Sequence, residues 1–218
     1  HTALRRQRQM CIRDSFGTTT TDFIVIKKGQ ILNQNYDDFS RLNNNELLYT
    51  GFTRTPTFAI GKKLRVDGKL LNIIPEFFSD AADIYTVIGQ LNVKIDIDRT
   101  ADGLNRNYFN SSRRIARSFG FDFDKHKKSF VEKICVELAS IQLNKIFINL
   151  LKIQKEFSAQ NLPVVLSGVG QEVVNEFLKK KRIKTIKFET FLNPSKLNKE
   201  ASSHAPAVSI ALLMGDLK

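Results

Sequence analysis

Hydrophobic and polar positions change period twice along the chain. Short apolar runs broken by Gly, Asp and Asn fill the first part, a long helical period occupies the middle, and apolar runs beside glycines return near the end. Residues 23–27 and 30–32 read as a hairpin about Lys28-Gly29. Residues 62–66 and 69–74 read as a second about Asp67-Gly68, a strong turn signal. Residues 46–49 and 57–60 are expected to be extended. Residues 36–43 read as a short helix with Asp37 and Asp38 at its positive end, 76–88 as a helix ending at Gly89, and 112–119 as a helix closed by Gly120.

Across 124–157 a helical apolar period runs through Phe130, Ile134, Leu138, Ile141, Ile146, Ile148, Leu151 and Ile153. That span exceeds an ordinary globular helix, so a break is expected near 142–145. A strand at 164–166, a helix at 171–180, a strand at 185–188 and a helix over 205–214 follow. This alternation predicts a three-layer α/β arrangement with a mostly helical middle segment.

Composition narrows the function classes. The 218 residues suffice for one substantial core or two small subdomains. The net charge is +12, of which residues 1–15, with four arginines against one aspartate, supply +3 and leave +9 on the rest. The basic runs Lys125-His126-Lys127-Lys128 and Lys179-Lys180-Lys181-Arg182 lie near helix ends without interleaved aromatics, so a nucleic-acid partner is not expected. Cys11 and Cys135 offer no disulfide framework, and His1, His126 and His204 match no zinc spacing. No apolar run of bilayer-spanning length stands out, so no membrane partner and a cytoplasmic, reducing location are expected. A homo-oligomer is left open.

Two glycine motifs carry the candidate chemistry. Phe16-Gly17-Thr18-Thr19-Thr20-Thr21-Asp22 precedes a strand; its glycine admits a close ligand, its threonines offer donors to anionic oxygens, and Asp22 can orient a water or a metal-bound group. A Thr-rich strand would look the same. Pro163-Val164-Val165-Leu166-Ser167-Gly168-Val169-Gly170-Gln171 reads as strand, turn and helix. There Gly168, Gly170 and Gln171 can present N–H groups to an anion or nucleotide, or can simply turn the chain. Asp80 and Asp83, three apart on a predicted helix, share a face suited to Mg²⁺ held through waters or to an amine, or else to capping and surface charge. Arg54, between Thr53 and Thr55, can clamp a phosphate or carboxylate, with Tyr49 and Thr50 lining the same pocket; a solvated Arg and a core Tyr are the alternatives.

The motif Gly17-Thr18-Thr19-Thr20-Thr21-Asp22 resembles the second phosphate motif of the actin, hexokinase and Hsp70-like ATPase superfamily, and Val164 to Gly170 resembles its adenosine motif. With Glu46 to Pro56, Glu76 to Tyr85 and Thr100-Ala101-Asp102-Gly103, residues 16–215 resemble the hydantoinase/oxoprolinase-like proteins of tetrahydromethanopterin-linked one-carbon metabolism. The resemblance implies a ribonuclease H-like, actin-like ATPase fold. It also implies transfer of an aminomethylfuran-methyl group from its diphosphate ester, a phosphorylated small-molecule substrate, to the phenol of γ-glutamyltyramine. The threonine loop, Arg54 and Mg²⁺ would stabilise the diphosphate, and Asp22 or Asp102 would take the phenol proton. An ATP-dependent hydantoinase or oxoprolinase-like hydrolase, with ATP as cofactor, and a nucleotide-binding sensor are the alternatives.

Against the family pattern, Ser15 stands where an aspartate is expected, with Asp14 one residue out of register. Residues 10–15 resemble translated adapter sequence, so 1–15 are expected to be a non-native leader. No Asp-x-Gly-Gly strand precedes Phe16. The expectation is therefore an incomplete fold: residues 16–218 as the C-terminal part of a hydantoinase-type domain, with 45–125 as an inserted substrate subdomain.

Overall fold

The computed structural model describes residues 11–91, 98–160, 162–191, 203–205 and 207–209. In chain order its strands are β1 (Cys11–Phe16), β2 (Thr21–Lys27), β3 (Gln30–Ile31), β4 (Leu47–Leu48), β5 (Lys63–Val66), β6 (Lys69–Asn72), β7 (Val164–Ser167) and β8 (Thr185–Lys187). Its α-helices are α1 (Asp38–Asn43), α2 (Thr57–Ile60), α3 (Ala81–Val87), α4 (Tyr108–Ser118), α5 (Lys128–Glu156) and α6 (Gln171–Lys180). The chain divides into two compact units, His1–Leu48 with Ile146–Lys218, and Tyr49–Lys145. The second contains most of the 45–125 stretch.

The first unit is built on a mixed sheet ordered β3-β2-β1-β7-β8, with β4 also pairing with β2. Strands β3, β2 and β1 form an antiparallel meander, while β1, β7 and β8 run parallel. Alternation decides which face of β2 is inside: Thr21, Phe23 and Val25 are fully buried, whereas Asp22, Ile24 and Ile26 are partly exposed. All four residues of β7 are buried, which explains its uninterrupted apolar run. The β2–β3 turn has positive φ at Lys28 (51°) and Gly29 (81°), the geometry that lets two residues reverse a twisted hairpin. Residues 11–15, counted with the leader, form most of β1, and Ile12 is fully buried. The helix read over 205–214 lies mostly outside the described residues.

In the second unit β5 and β6 pair antiparallel about Asp67-Gly68, as the turn signal predicts. Two expectations are corrected. Residues 57–60 form the single-turn helix α2 rather than a strand. Pro56 precedes it, the Thr57 N–H donates to the Ser79 carbonyl at 3.0 Å, and the Thr57, Ser79 and Ser118 hydroxyls form a buried chain with 2.7 Å links. Tertiary hydrogen bonds override the local strand preference of Thr. The helix read over 76–88 starts only at Ala81, because the Asp80 side chain accepts the Asp83 N–H at 3.0 Å and so caps it.

Helix α5 runs for 29 residues without the expected break, contributing to the second unit up to Lys145 and to the first from Ile146. The polar interruption is satisfied without breaking the helix. Gln142, 1 % exposed, donates to the Thr50 hydroxyl and the Gly51 carbonyl, each at 2.9 Å, and accepts the Tyr85 hydroxyl at 2.8 Å. The Asn144 amide donates back to the Ser140 carbonyl at 2.8 Å. By length and composition Lys125–Glu156 is apolar enough to cross a bilayer, which the sequence reading did not expect; half of its most apolar window is buried within the protein. Ile134, Leu138, Leu150 and Ile153 are fully buried core positions.

Candidate functional site

In the first unit the two glycine motifs leave the sheet side by side. Strands β1 and β7 are parallel with Ser15 opposite Ser167, so both motifs begin at the same end of the sheet. The Gly17 N–H donates to the Thr20 carbonyl at 2.9 Å and closes a tight loop between β1 and β2. Across it the Gly170 N–H donates to the Phe16 carbonyl at 3.1 Å. Gly168 has φ of 92°, and a β-carbon there would lie 2.5 Å from the same carbonyl oxygen. Only glycine meets both the conformation and the contact.

The side chains there serve different purposes. Thr18, Thr19 and Thr20 are half-buried on the loop, whereas Thr21 is fully buried as the first residue of β2. The Thr20 hydroxyl donates to the Asp22 carboxylate at 3.3 Å, and Arg41 of α1 donates to its other oxygen at 2.7 Å. Asp22 also lines a cavity of about 480 Å³. Helix α6 follows Gly170 without a side-chain cap. Gln171 is 6 % exposed and its Oε1 is buried without a hydrogen-bond partner, an acceptor held at the positive end of the helix. The Gly17 and Gly170 N–H groups are engaged within the protein, so what this site offers an anionic group is the positive end of the α6 dipole.

The remaining candidates lie in the second unit, where arginines tie the acidic ones together. Arg106 donates to Asp80 at 2.8 and 3.1 Å and to Asp83 at 2.7 Å. Arg114 donates to Asp83 at 2.7 and 3.0 Å and to Asp102 at 2.8 Å. The side chains of Arg106, Arg114, Asp80 and Asp83 are all at most 7 % exposed. Both oxygens of each buried aspartate face N–H donors, so the pair does not fit an open Mg²⁺ ligand set. Among the described residues no group of three or more His, Cys, Asp or Glu is placed to hold a metal ion.

Burial, and then the adjacent Asp83 carboxylate, push the Asp80 carboxyl up to about 6 in spite of Arg106. For Asp102 desolvation acts upward too, but the Leu104 N–H and Arg114 outweigh it and hold that carboxyl below its ordinary range.

Arg54 forms a two-pronged pair with Asp98 at 2.7 and 2.9 Å, with its own side chain 54 % exposed. Thr50 and Thr55 are buried. Thr50 accepts from Gln142, and the Thr55 hydroxyl exchanges hydrogen bonds with the Gly51 N–H and carbonyl, whereas Tyr49 is exposed. The geometry thus gathers Gly17 to Asp22 with Gly168 to Gln171, and separately joins Asp80, Asp83 and Asp102. Sequence reasoning missed Arg41, Glu46, Arg106 and Arg114. Only Arg114 had a signal, since it shares the buried helical stripe of Ser111, Ile115 and Ser118.

No protein-family model matches the chain. It is 28 % identical over 204 residues to a curated protein of Methanococcus vannielii named (4-{4-[2-(gamma-L-glutamylamino)ethyl]phenoxymethyl}furan-2-yl)methanamine synthase, covering 94 % of this chain and 90 % of the relative. It is 30 % identical over 207 residues to a protein of the same name from Methanocaldococcus jannaschii, covering 95 % of this chain but 60 % of that relative.

Proposed function

We propose that the chain performs the transfer for which these relatives are named, joining an aminomethylfuran-methyl unit, carried as its diphosphate ester, to the phenol of γ-glutamyltyramine in methanofuran biosynthesis. One observation carries the reading: two relatives with one name each match nearly the whole chain, over 94 % and 95 % of its length. The phenol oxygen attacks the furanylmethyl carbon, the bond from that carbon to the diphosphate oxygen breaks, and diphosphate leaves with the electron pair. Asp22 takes the phenol proton. The Gly17–Thr20 loop and the positive end of α6 receive the departing diphosphate, a role supported by their meeting at Phe16. Of the second unit's candidates Tyr49, Arg54 and Asp102 are exposed, whereas Thr50, Thr55, Asp80 and Asp83 are buried.

The antiparallel meander continued by two parallel strands supports assigning the first unit to a three-layer, actin-like ATPase architecture. The test is incubation of the purified chain with both substrates and mass-spectrometric detection of the ether. No ether, under conditions where the Methanocaldococcus jannaschii relative forms it, overturns the proposal.

A further inference from the structure

We infer that the cavity beside Asp22 is a binding subsite for a primary ammonium group carried on a small apolar stem. Glu46 lines this cavity of about 480 Å³ and is 2 % exposed. Its Oε1 accepts the Asn35 amide at 2.9 Å, but its Oε2 is buried without a hydrogen-bond partner. A buried carboxyl oxygen lacking a donor is costly, so the site is complete only when a ligand supplies one. The formal charge selects the kind of donor. Among the described residues the acidic and basic groups lining the cavity are Asp22, Glu46 and Arg41, and Arg41 is already paired with Asp22 at 2.7 Å, so no described cation of the lining is left for Glu46. A water would supply a hydrogen bond but no charge. The wall supplies the rest: Ile31 and Tyr36 line the same cavity while 64 % and 93 % exposed, apolar surface suited to the stem of an organic amine. A single unpaired oxygen beside apolar walls is poorly suited to a metal ion, which needs several oxygen ligands.

The inference rests on the proposed function only for the identity of the natural amine, which would be the methanamine end of the furan substrate; binding itself is argued from the cavity. The probes are furan-2-ylmethanamine, charged at neutral pH, and its neutral counterpart furan-2-ylmethanol, titrated into the full chain by calorimetry at pH 7.5. The amine is expected to bind roughly ten-fold or more tightly than the alcohol, and Glu46→Gln to bring the two within about two-fold. Equal affinity of the two probes for the wild-type chain, or no saturable binding of the amine, overturns the inference without recourse to any variant. Retained discrimination in a folded Glu46→Gln protein overturns it as well. Amine binding without formation of the ether supports the subsite while overturning the proposed transfer.

Discussion

Gly168 lies flush against the backbone of Phe16, with the place of its missing β-carbon only 2.5 Å from the Phe16 carbonyl oxygen. Through this contact the strand–turn–helix motif closes against the start of the threonine loop, and the Gly170 N–H to the same oxygen locks it. Gly168→Ala combines a backbone clash with a φ of 92° unsuited to alanine. It is expected to cost about 2–4 kcal/mol. Urea denaturation measures this, and a loss below about 0.5 kcal/mol would show that the two motifs are not held together as described.

Asp22 contributes little to stability, so its proposed chemical role can be tested apart from folding. Its pair with Arg41 is partly exposed, at 27 % and 21 %, and such pairs contribute about 0–1 kcal/mol. Asp22→Asn is expected to leave the melting transition almost unchanged and to reduce kcat of the proposed transfer by about 10²–10⁴, as loss of a general base does. Unchanged turnover in the folded variant would remove Asp22 from the chemistry.

Legibility followed the range of the determining forces. The turns at Lys28-Gly29 and Asp67-Gly68, the helix Gln171–Lys180 and the buried strand Val164–Ser167 are set by residues within a few positions, and their patterns announce them. The continuity of α5 is not local: Gln142 and Asn144 look like a break until Thr50, Gly51 and Tyr85 are seen around the first. The same holds for the acidic cluster. Nothing near Asp80 or Asp83 in the chain foretells Arg106 and Arg114 closing over them, so two carboxylates that read as metal ligands are instead the centre of a buried ion-pair network. Glu46 lies in an unremarkable strand-like stretch, and only the burial of its Oε2 without a donor marks it out.

That network makes Arg114 the most sensitive charged position of the second unit. It is 3 % exposed, bridges Asp83 and Asp102, and also donates to the Ser111 hydroxyl at 3.2 Å. Arg114→Met leaves the Asp83 carboxylate buried with one guanidinium fewer, and is expected to cost about 3–5 kcal/mol. Removing the charge as well, in Arg114→Met with Asp83→Leu, is expected to recover part of that loss, because the penalty comes from an unpaired buried charge. Chemical denaturation of the two single variants and the double variant checks this. Simple additivity of the two losses would contradict the coupling.

Asp80 gives the network a pH signature of definite sign. Its carboxyl is raised from 3.8 to about 6, first by desolvation and then by Asp83, so the folded chain holds this proton more tightly than the unfolded chain does. The contribution to stability is complete below about pH 4 and is lost as pH rises through about 6, on the order of 2–3 kcal/mol. Asp102 works in the opposite direction, its carboxyl being held below the ordinary value, so its contribution is lost only in more acidic solution and does not mask the window. Asp80→Asn keeps an oxygen able to accept the Asp83 N–H and cap α3, yet cannot titrate. Unfolding free energies measured from pH 4 to pH 7 are expected to decline more steeply in the wild type than in Asp80→Asn, and parallel curves would show that Asp80 does not titrate in this range.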